Sequence, residues 1–163
     1  MLNLFMLSSG SGLYVFYNSI LPESEVFLKS ILDRCDWWMF SKLDQTLDEV
    51  FIPYYSPKEN KIVNFKPDFI FWAQKGNRYL ILFVDPKGTE HTDGYRKIDG
   101  YSRIFEIGEQ KQSKDFLYNG LTINTKLLLK PKRGIAEVLE NYKRYWFDNF
   151  DDFENKIKAL HFR

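Results

Sequence analysis

The chain has 163 residues, a length typical of one compact domain with a single hydrophobic core. Its formal net charge is +1, from 23 Lys plus Arg and 22 Asp plus Glu, so any contact with nucleic acid has to come from a local patch. The single cysteine excludes an intramolecular disulfide and a metal site built of cysteines alone.

The N-terminal residues 1–20 lack a basic segment followed by a long apolar run, so we expect neither a signal peptide nor a membrane span. A cytoplasmic protein in a reducing setting, with no membrane partner, is the expectation. Residues 8–12 are rich in Ser and Gly. The sequence therefore predicts one domain over residues 1–163, of which 1–12 form a loose N-terminus.

The first half of the chain predicts short elements. A strand is expected at residues 13–17 and an amphipathic helix at 22–35, whose apolar stripe ends at a buried, inert Cys35. The remaining predictions here are an extended segment at 37–40, a turn or short helix at 44–49, an edge strand or bend around Pro53 at 51–55, and a loop at 56–60.

The second half carries the clearest pattern. Apolar runs at residues 64–73 and 79–85, joined by Gly76-Asn77, predict a β-hairpin whose second strand is covered on both faces. Further elements are predicted as a helix at 94–106, a strand at 121–129, and closing helices at 135–147 and 153–160. Strands in the middle with helices before, between and after them predict an α/β layered domain.

Two acidic residues and one lysine fall at the ends of the predicted hairpin strands. Asp68 begins the first strand, and Asp85 and Lys87 end the second, where residues two apart point to the same face. A divalent cation relieves the repulsion between neighbouring carboxylates, and Mg²⁺ prefers one or two of them plus water and phosphate oxygens. These residues are equally consistent with a turn after Pro67, a strand end, or an Asp85–Lys87 salt bridge.

The same residues carry a family likeness. Pro67-Asp68 followed by Asp85-Pro86-Lys87 resembles the signature of the PD-(D/E)XK nuclease superfamily. Residues 38–43, 52–55, 65–72, 85–91 and 95–101 are similar to the nuclease domain at the C-terminal end of type III restriction Res subunits and related DEAD/DEAH-box helicases. The likeness spans residues 22–150, and its most specific part is 65–101.

This resemblance implies a restriction-endonuclease-like three-layer core, with a mixed central β-sheet flanked by helices. It also implies Mg²⁺-dependent hydrolysis of DNA phosphodiester bonds, with Mn²⁺ as a substitute and Asp68, Asp85 and Lys87 as the catalytic residues. Asp68 and Asp85 would bind the metal with a Glu of the first helix, for which Glu25 is the best match and Glu23 the second. Either glutamate is as consistent with ordinary helix capping.

The chain has no Gly-x-x-x-x-Gly-Lys-Ser/Thr motif, so it carries no phosphate-cradling motor of its own. A helicase or translocase motor is therefore expected in cis, if the chain is a fragment, or in trans. Candidate DNA contacts are His91, Lys126, Lys130, Lys132 and Arg133, which also suit a loop histidine and a solvated basic face. The aromatic pair Tyr54-Tyr55 is interpreted as packing, because its sequence neighbours are apolar.

The leading hypothesis is a metal-dependent endodeoxyribonuclease, the cutting module of a type III restriction-like or helicase-linked system. The alternative is a catalytically inactive nuclease-fold module that binds DNA or protein. A glycoside hydrolase using Asp68 and Asp85 as acid and base is disfavoured by Lys87 and by the lack of a sugar-stacking platform near the motif.

Overall fold

The computed structural model describes residues 35–44, 46, 49–85, 94–131 and 138–158. Within these residues the fold is mixed α/β, with a mixed five-stranded sheet and few helices. The strands of that sheet, in spatial order, are β1 (Trp37–Lys42), β4 (Phe69–Lys75), β5 (Arg78–Asp85), β9 (Leu121–Leu129) and β8 (Phe116–Tyr118). Two small two-stranded sheets join β2 (Ile52–Ser56) to β3 (Lys61–Phe65), and β6 (Glu106–Ile107) to β7 (Gln112–Ser113).

Strands β4 and β5 form the antiparallel hairpin that the sequence predicts. Lys75 pairs with Arg78 across the two-residue turn, and Gly76 adopts φ +57°, a conformation that glycine enters without steric strain. The carboxylate of Asp36 accepts a hydrogen bond from the Gly76 backbone N–H at 2.6 Å. The turn is thus tied to the segment that leads into β1.

Strand β9 runs parallel to β5 after a crossover through α1 (Gly94–Phe105). Helix α1 runs antiparallel to β9, since Tyr101 late in the helix reaches Thr125 of β9, and Phe105 at its end contacts Phe116 of β8. The start of α1 therefore lies at the same edge of the sheet as the C-terminal ends of β5 and β9.

Both faces of the central strands are buried. Phe83 and Leu127 lie on the face that carries α1 and the β2–β3 hairpin. Leu82, Val84 and Leu128 are buried on the opposite face. The almost continuous apolar run of β5 follows from this two-sided burial, as the sequence predicts.

The remaining described helices follow β9. They are a 3₁₀ helix at Glu140–Tyr145 and α2 at Phe150–Lys158. Phe153 of α2 is fully buried and packs on Phe147, with ring centroids 4.9 Å apart. Among the described residues, no helix is long and apolar enough to span a membrane.

Two predicted elements differ from the structure. The run at 64–73 is not one strand, because it breaks at residues 66–68, where Pro67 lacks an N–H and restricts the residue before it. The closing helix predicted at 135–147 is only partly present in the described residues, as a 3₁₀ helix at Glu140–Tyr145 that ends before Trp146. Three consecutive residues, Tyr145, Trp146 and Phe147, are all buried, and Trp146 forms a parallel bridge to Leu129, which requires an extended backbone after the 3₁₀ helix.

The other predicted elements are confirmed or lie outside the described residues. Strands at 37–40, 51–55, 79–85 and 121–129, the loop at 56–60, and helices at 94–106 and 153–160 are present with small changes of bounds. The strand at 13–17 and most of the helix at 22–35 lie outside the described part of the chain. Cys35 is half-buried, and burial raises the pKa of its thiol, as suits an unreactive side chain.

Candidate active site

The register of the β4–β5 hairpin brings Asp68 and Asp85 together. Phe69 pairs with Val84 at the last step of the ladder. Continued by one residue, this register sets Asp68 directly across from Asp85, on the face of the sheet that carries α1. Residues opposite each other in an antiparallel pair have Cβ atoms about 5 Å apart. The two carboxylates are therefore near neighbours at the end of the central strand.

The backbone on either side of the carboxylates is held by neighbouring strands. The carbonyl oxygen of Asp68 accepts a hydrogen bond from the Leu43 N–H at 2.8 Å, and that of Asp85 accepts one from the Lys130 N–H at 3.1 Å. Asp85 is 6% exposed, whereas Asp68 is half-buried. The pair thus consists of one deep and one accessible carboxylate on a rigid frame, which is the arrangement a preorganised site needs.

Lysines surround this edge of the sheet. Lys130 follows β9 directly beside Asp85, and Lys66 is two residues before Asp68. The Nζ atom of Lys97, in the first turn of α1, lies 4.6 Å from the ring centroid of Phe65. Positive and negative side chains therefore lie at the same end of the sheet.

The donor chemistry of the pair fits Mg²⁺. Carboxylate oxygens are hard ligands, and Mg²⁺ commonly takes only one or two from protein, completing its shell with waters and phosphate oxygens. No group of three or more His, Cys, Asp or Glu side chains within the described ranges could hold a metal ion.

Several predicted site residues lie outside the described part of the chain. These are Glu25, Lys87, His91, Lys132 and Arg133. The described segment resumes at Gly94, the first residue of α1. The structure therefore describes Asp68, Asp85, Lys126 and Lys130. The five positions outside the described residues stay sequence predictions.

Lys126 lies away from the carboxylates. It pairs with Leu82, which places it on the opposite face of the sheet from Asp85. Burial lowers the pKa of its ammonium group, and the positive charge of Lys156 lowers it further. Of the two predicted basic contacts that the structure describes, Lys130 lies nearer the carboxylate end of the sheet, directly after Leu129, which pairs with Asp85. By strand alternation position 130 has the phase of Lys126 rather than that of Leu129.

The sequence did not predict a groove that lies beside this site. Arg96 and Arg103 of α1 line this groove together with Tyr54 and Tyr55 of β2. The two arginines follow the two tyrosines by more than forty positions in the sequence. Tyr54-Tyr55 was interpreted as packing because no basic residues neighbour it along the chain. The signal available was the spacing of the arginines, seven residues apart on a predicted helix and hence on one face.

The described residues thus define a mixed α/β domain with a carboxylate pair at the C-terminal end of its central strand. A family profile matches the chain over residues 5–118, and the chain belongs to that family, the YagJ family. A comparison with curated proteins gives no significant match, and a comparison with solved structures gives none either.

Proposed function

We propose that the chain is a metal-dependent endonuclease domain that hydrolyses DNA phosphodiester bonds. The observation that supports this proposal is the β4–β5 register, which pairs Phe69 with Val84 and, continued by one residue, would set Asp68 across from the buried Asp85. Two neighbouring carboxylates supply the hard oxygen ligands that a divalent cation prefers. The lysines at the same edge of the sheet supply charge that suits a phosphate.

Asp68 and Asp85 would hold the metal ion from their adjoining strands. When bound, Mg²⁺ polarises a phosphate oxygen and lowers the pKa of a coordinated water. Lys87, two residues past Asp85 in the sequence, would orient the attacking water and stabilise the negative charge that develops on the phosphate.

The resemblance to the PD-(D/E)XK superfamily supports a finer version of the proposal. The described mixed sheet, with a helix on the face of the carboxylates, is compatible with a restriction-endonuclease-like three-layer core. By the same resemblance, the domain is the cutting module of a type III restriction-like or helicase-linked system. The motor would then act in cis or in trans.

Incubation of the purified full chain with plasmid DNA and Mg²⁺ or Mn²⁺ tests the proposal. We expect metal-dependent nicking or linearisation, lost by at least about 100-fold in Asp85→Asn and in Lys87→Ala. Asp151→Asn on α2 and Lys75→Ala at the far end of β4 change the same residue types at exposed positions away from the carboxylates, so both should cleave normally. Circular dichroism verifies that each variant is folded.

Two outcomes would count against the proposal. Cleavage that persists in Asp85→Asn would identify a contaminating nuclease or a different site. Tight DNA or protein binding with no cleavage under either metal would identify the inactive nuclease-fold module instead.

A further inference from the structure

A groove runs between α1 and the β2–β3 hairpin, and we call it the hairpin–helix groove. Its walls include Tyr54 and Tyr55 on the hairpin and Arg96, Arg103 and Ile104 on the helix, and it forms an open cavity of about 370 Å³. Its floor is formed where Gly100 of α1 approaches the backbone of Pro53 and Tyr54, so closely that a Cβ atom on Gly100 would lie 2.6 Å from the Pro53 carbonyl oxygen. The groove is therefore a fixed feature of the helix–hairpin packing.

The charge of the groove is positive. Arg103 is exposed, and its guanidinium forms no hydrogen bond or ion pair with the described residues. Arg96 reaches Asp99 at 3.4 Å, with more than a third of each side chain exposed, so water screens this ion pair. Asp99 also accepts a hydrogen bond from the Tyr142 hydroxyl at 2.8 Å. The guanidinium groups of Arg96 and Arg103 thus line the groove together with the carboxylate of Asp99, which contacts both Arg96 and Tyr142.

The hairpin wall is aromatic and apolar although it is exposed. Tyr55 is 46% exposed and Ile62, its cross-strand partner, is 62% exposed. The Tyr55 hydroxyl donates to the Asn60 side chain at 2.6 Å, which fixes the position of the ring. A held, exposed aromatic ring beside cations is the combination that proteins use to bind single-stranded nucleic acid without sequence preference.

The groove leads to the carboxylate pair. Lys97, next to Arg96 in the first turn of α1, lies over the ring of Phe65, which is three residues before Asp68. The start of α1 lies at the edge of the sheet that carries Asp85. A strand that follows α1 from Arg103 to Arg96 therefore arrives at the proposed catalytic edge.

We propose that the hairpin–helix groove binds a single strand of nucleic acid, with Arg96 and Arg103 on its phosphates and Tyr55 stacked on a base. The two arginines are seven residues apart on the helix, which separates them by about 10 Å along the axis. The proposal rests on the proposed nuclease function in one respect, namely that the bound strand would lead to the nuclease site. Binding in the groove does not require that cleavage occurs.

A single strand is favoured over a duplex because the exposed ring of Tyr55 can stack only on a base that is not already stacked in a helix. An acidic peptide would satisfy the arginines but would make no use of the ring. The ring and the two guanidinium groups together are therefore best explained by a strand of bases and phosphates.

Fluorescence anisotropy with a labelled oligonucleotide of about 15 nucleotides, in EDTA to prevent cleavage, measures binding alone. We expect the double variant Arg96→Ala/Arg103→Ala to bind at least about tenfold more weakly, and its log–log salt slope to fall by about 1.4, since each single-strand phosphate contact contributes about 0.7. Tyr55→Ala should weaken binding with an unchanged salt slope. Lys75→Ala, which removes an exposed positive charge outside the groove, is the matched control and should bind like the unaltered protein.

The result that overturns the proposal is equal affinity of the unaltered protein and the double arginine variant. A preference for duplex that Tyr55→Ala leaves intact would also overturn it, as would displacement of the strand by polyglutamate as readily as by unlabelled strand. Failure of the nuclease proposal gives a different pattern. In that case the groove variants lose binding as expected, while the unaltered protein cuts neither DNA nor RNA with any divalent metal.

Discussion

Asp68 and Asp85 flank the same end of the β4–β5 hairpin, and a cation bound to both of them would stabilise the folded chain by mass action. We therefore expect the stabilisation by Mg²⁺ to depend on Asp68. Mg²⁺ should raise the thermal midpoint of the unaltered protein and leave that of Asp68→Asn nearly unchanged.

Asp151→Asn is the matched control, since this aspartate is exposed in the first turn of α2. Its thermal midpoint should show the same response to Mg²⁺ as that of the unaltered protein. If Asp68→Asn kept the full response to Mg²⁺, the two carboxylates would not share a cation.

The side chain of Lys126 is half-buried, so its ammonium group is a cation partly removed from water. Burial and the neighbouring charge of Lys156 lower its pKa in the fold below its ordinary value of 10.5, whereas Glu106 partly offsets the shift. Between the lowered pKa and 10.5 the unfolded chain binds more protons than the folded chain. The contribution of Lys126 to stability therefore rises with pH through this window and is unfavourable below it.

Lys126→Met is thus expected to raise the urea midpoint at pH 7, because the methionine fills the same space without a charge to desolvate. The gain should shrink as the pH approaches 10.5. Urea titrations of the variant and the unaltered protein at several pH values measure this difference. A lower midpoint at pH 7 would show that the ammonium group has a stabilising partner.

At the scale of elements, the contact between α1 and the β2–β3 hairpin depends on the absence of a side chain at Gly100. A Cβ atom there would lie 2.6 Å from the Pro53 carbonyl oxygen and 2.7 Å from the Tyr54 Cβ atom, too close for either backbone to avoid moving. In an exposed helix, Gly→Ala stabilises by about 1 kcal/mol. Here we expect Gly100→Ala to destabilise by about 1–3 kcal/mol, the usual range for overpacking.

Chemical denaturation of Gly100→Ala measures this effect, and Arg96→Ala in the same helix is the control, because its exposed side chain should change stability by less than about 0.5 kcal/mol. If Gly100→Ala were more stable than the unaltered protein, the β2–β3 hairpin would be able to shift around the added methyl group without a loss of stability. In that case the hairpin–helix groove would be adjustable rather than fixed.

The elements that the sequence predicts well are those with one local cause. The β4–β5 hairpin follows from the turn at Gly76. Strand β9, which ends at Leu129 shortly before Pro131, and helix α1 each follow from an uninterrupted period. Elements that depend on distant partners were predicted poorly. Trp146 is extended because it pairs with Leu129, and the three-residue strand β8 exists because β9 lies beside it. Nothing local encodes either pairing.

The candidate site divides in the same way. The hairpin register, from which the opposition of Asp68 and Asp85 is expected, depends on the position of the turn, and the sequence predicts that turn at Gly76. The face occupied by Lys126 and the meeting of Tyr55 with Arg103 depend on how the sheet, helix and hairpin pack. Periodicity within one element carries no information about such contacts.

At the scale of the whole molecule, two buried tyrosines connect elements that are far apart in sequence. Tyr101 of α1 forms a 3.2 Å hydrogen bond with Thr125 of β9, and Tyr145 of the 3₁₀ helix donates to Glu106 of β6 at 2.5 Å. The rings of the two tyrosines meet edge to face. Because Glu106 immediately follows α1, these contacts join the helix, the sheet and the 3₁₀ helix in one network.

This network predicts how the fold responds to alkali. Burial raises the pKa of Tyr101 and of Tyr145 above the ordinary value of 10.0, and the hydrogen bond to Glu106 raises that of Tyr145 further. Above pH 10 the unfolded chain loses protons that the folded chain keeps. The stability that these groups contribute is therefore constant below pH 10 and falls above it, by at most about 1.4 kcal/mol per pH unit for each tyrosine.

Urea titrations from pH 7 to pH 11 should show this decline, and Tyr101→Phe/Tyr145→Phe should flatten it while lowering stability at pH 7 through the lost hydrogen bonds. Tyr118→Phe, at a position that is 65% exposed on the edge strand β8, is the matched control and should leave the alkaline slope unchanged. Lys126 acts in the opposite direction over the adjoining pH range, so Lys126→Met should steepen the net fall. An alkaline slope that survives in the double phenylalanine variant would mean that the tyrosines ionise within the fold, and the network would then not limit stability at high pH.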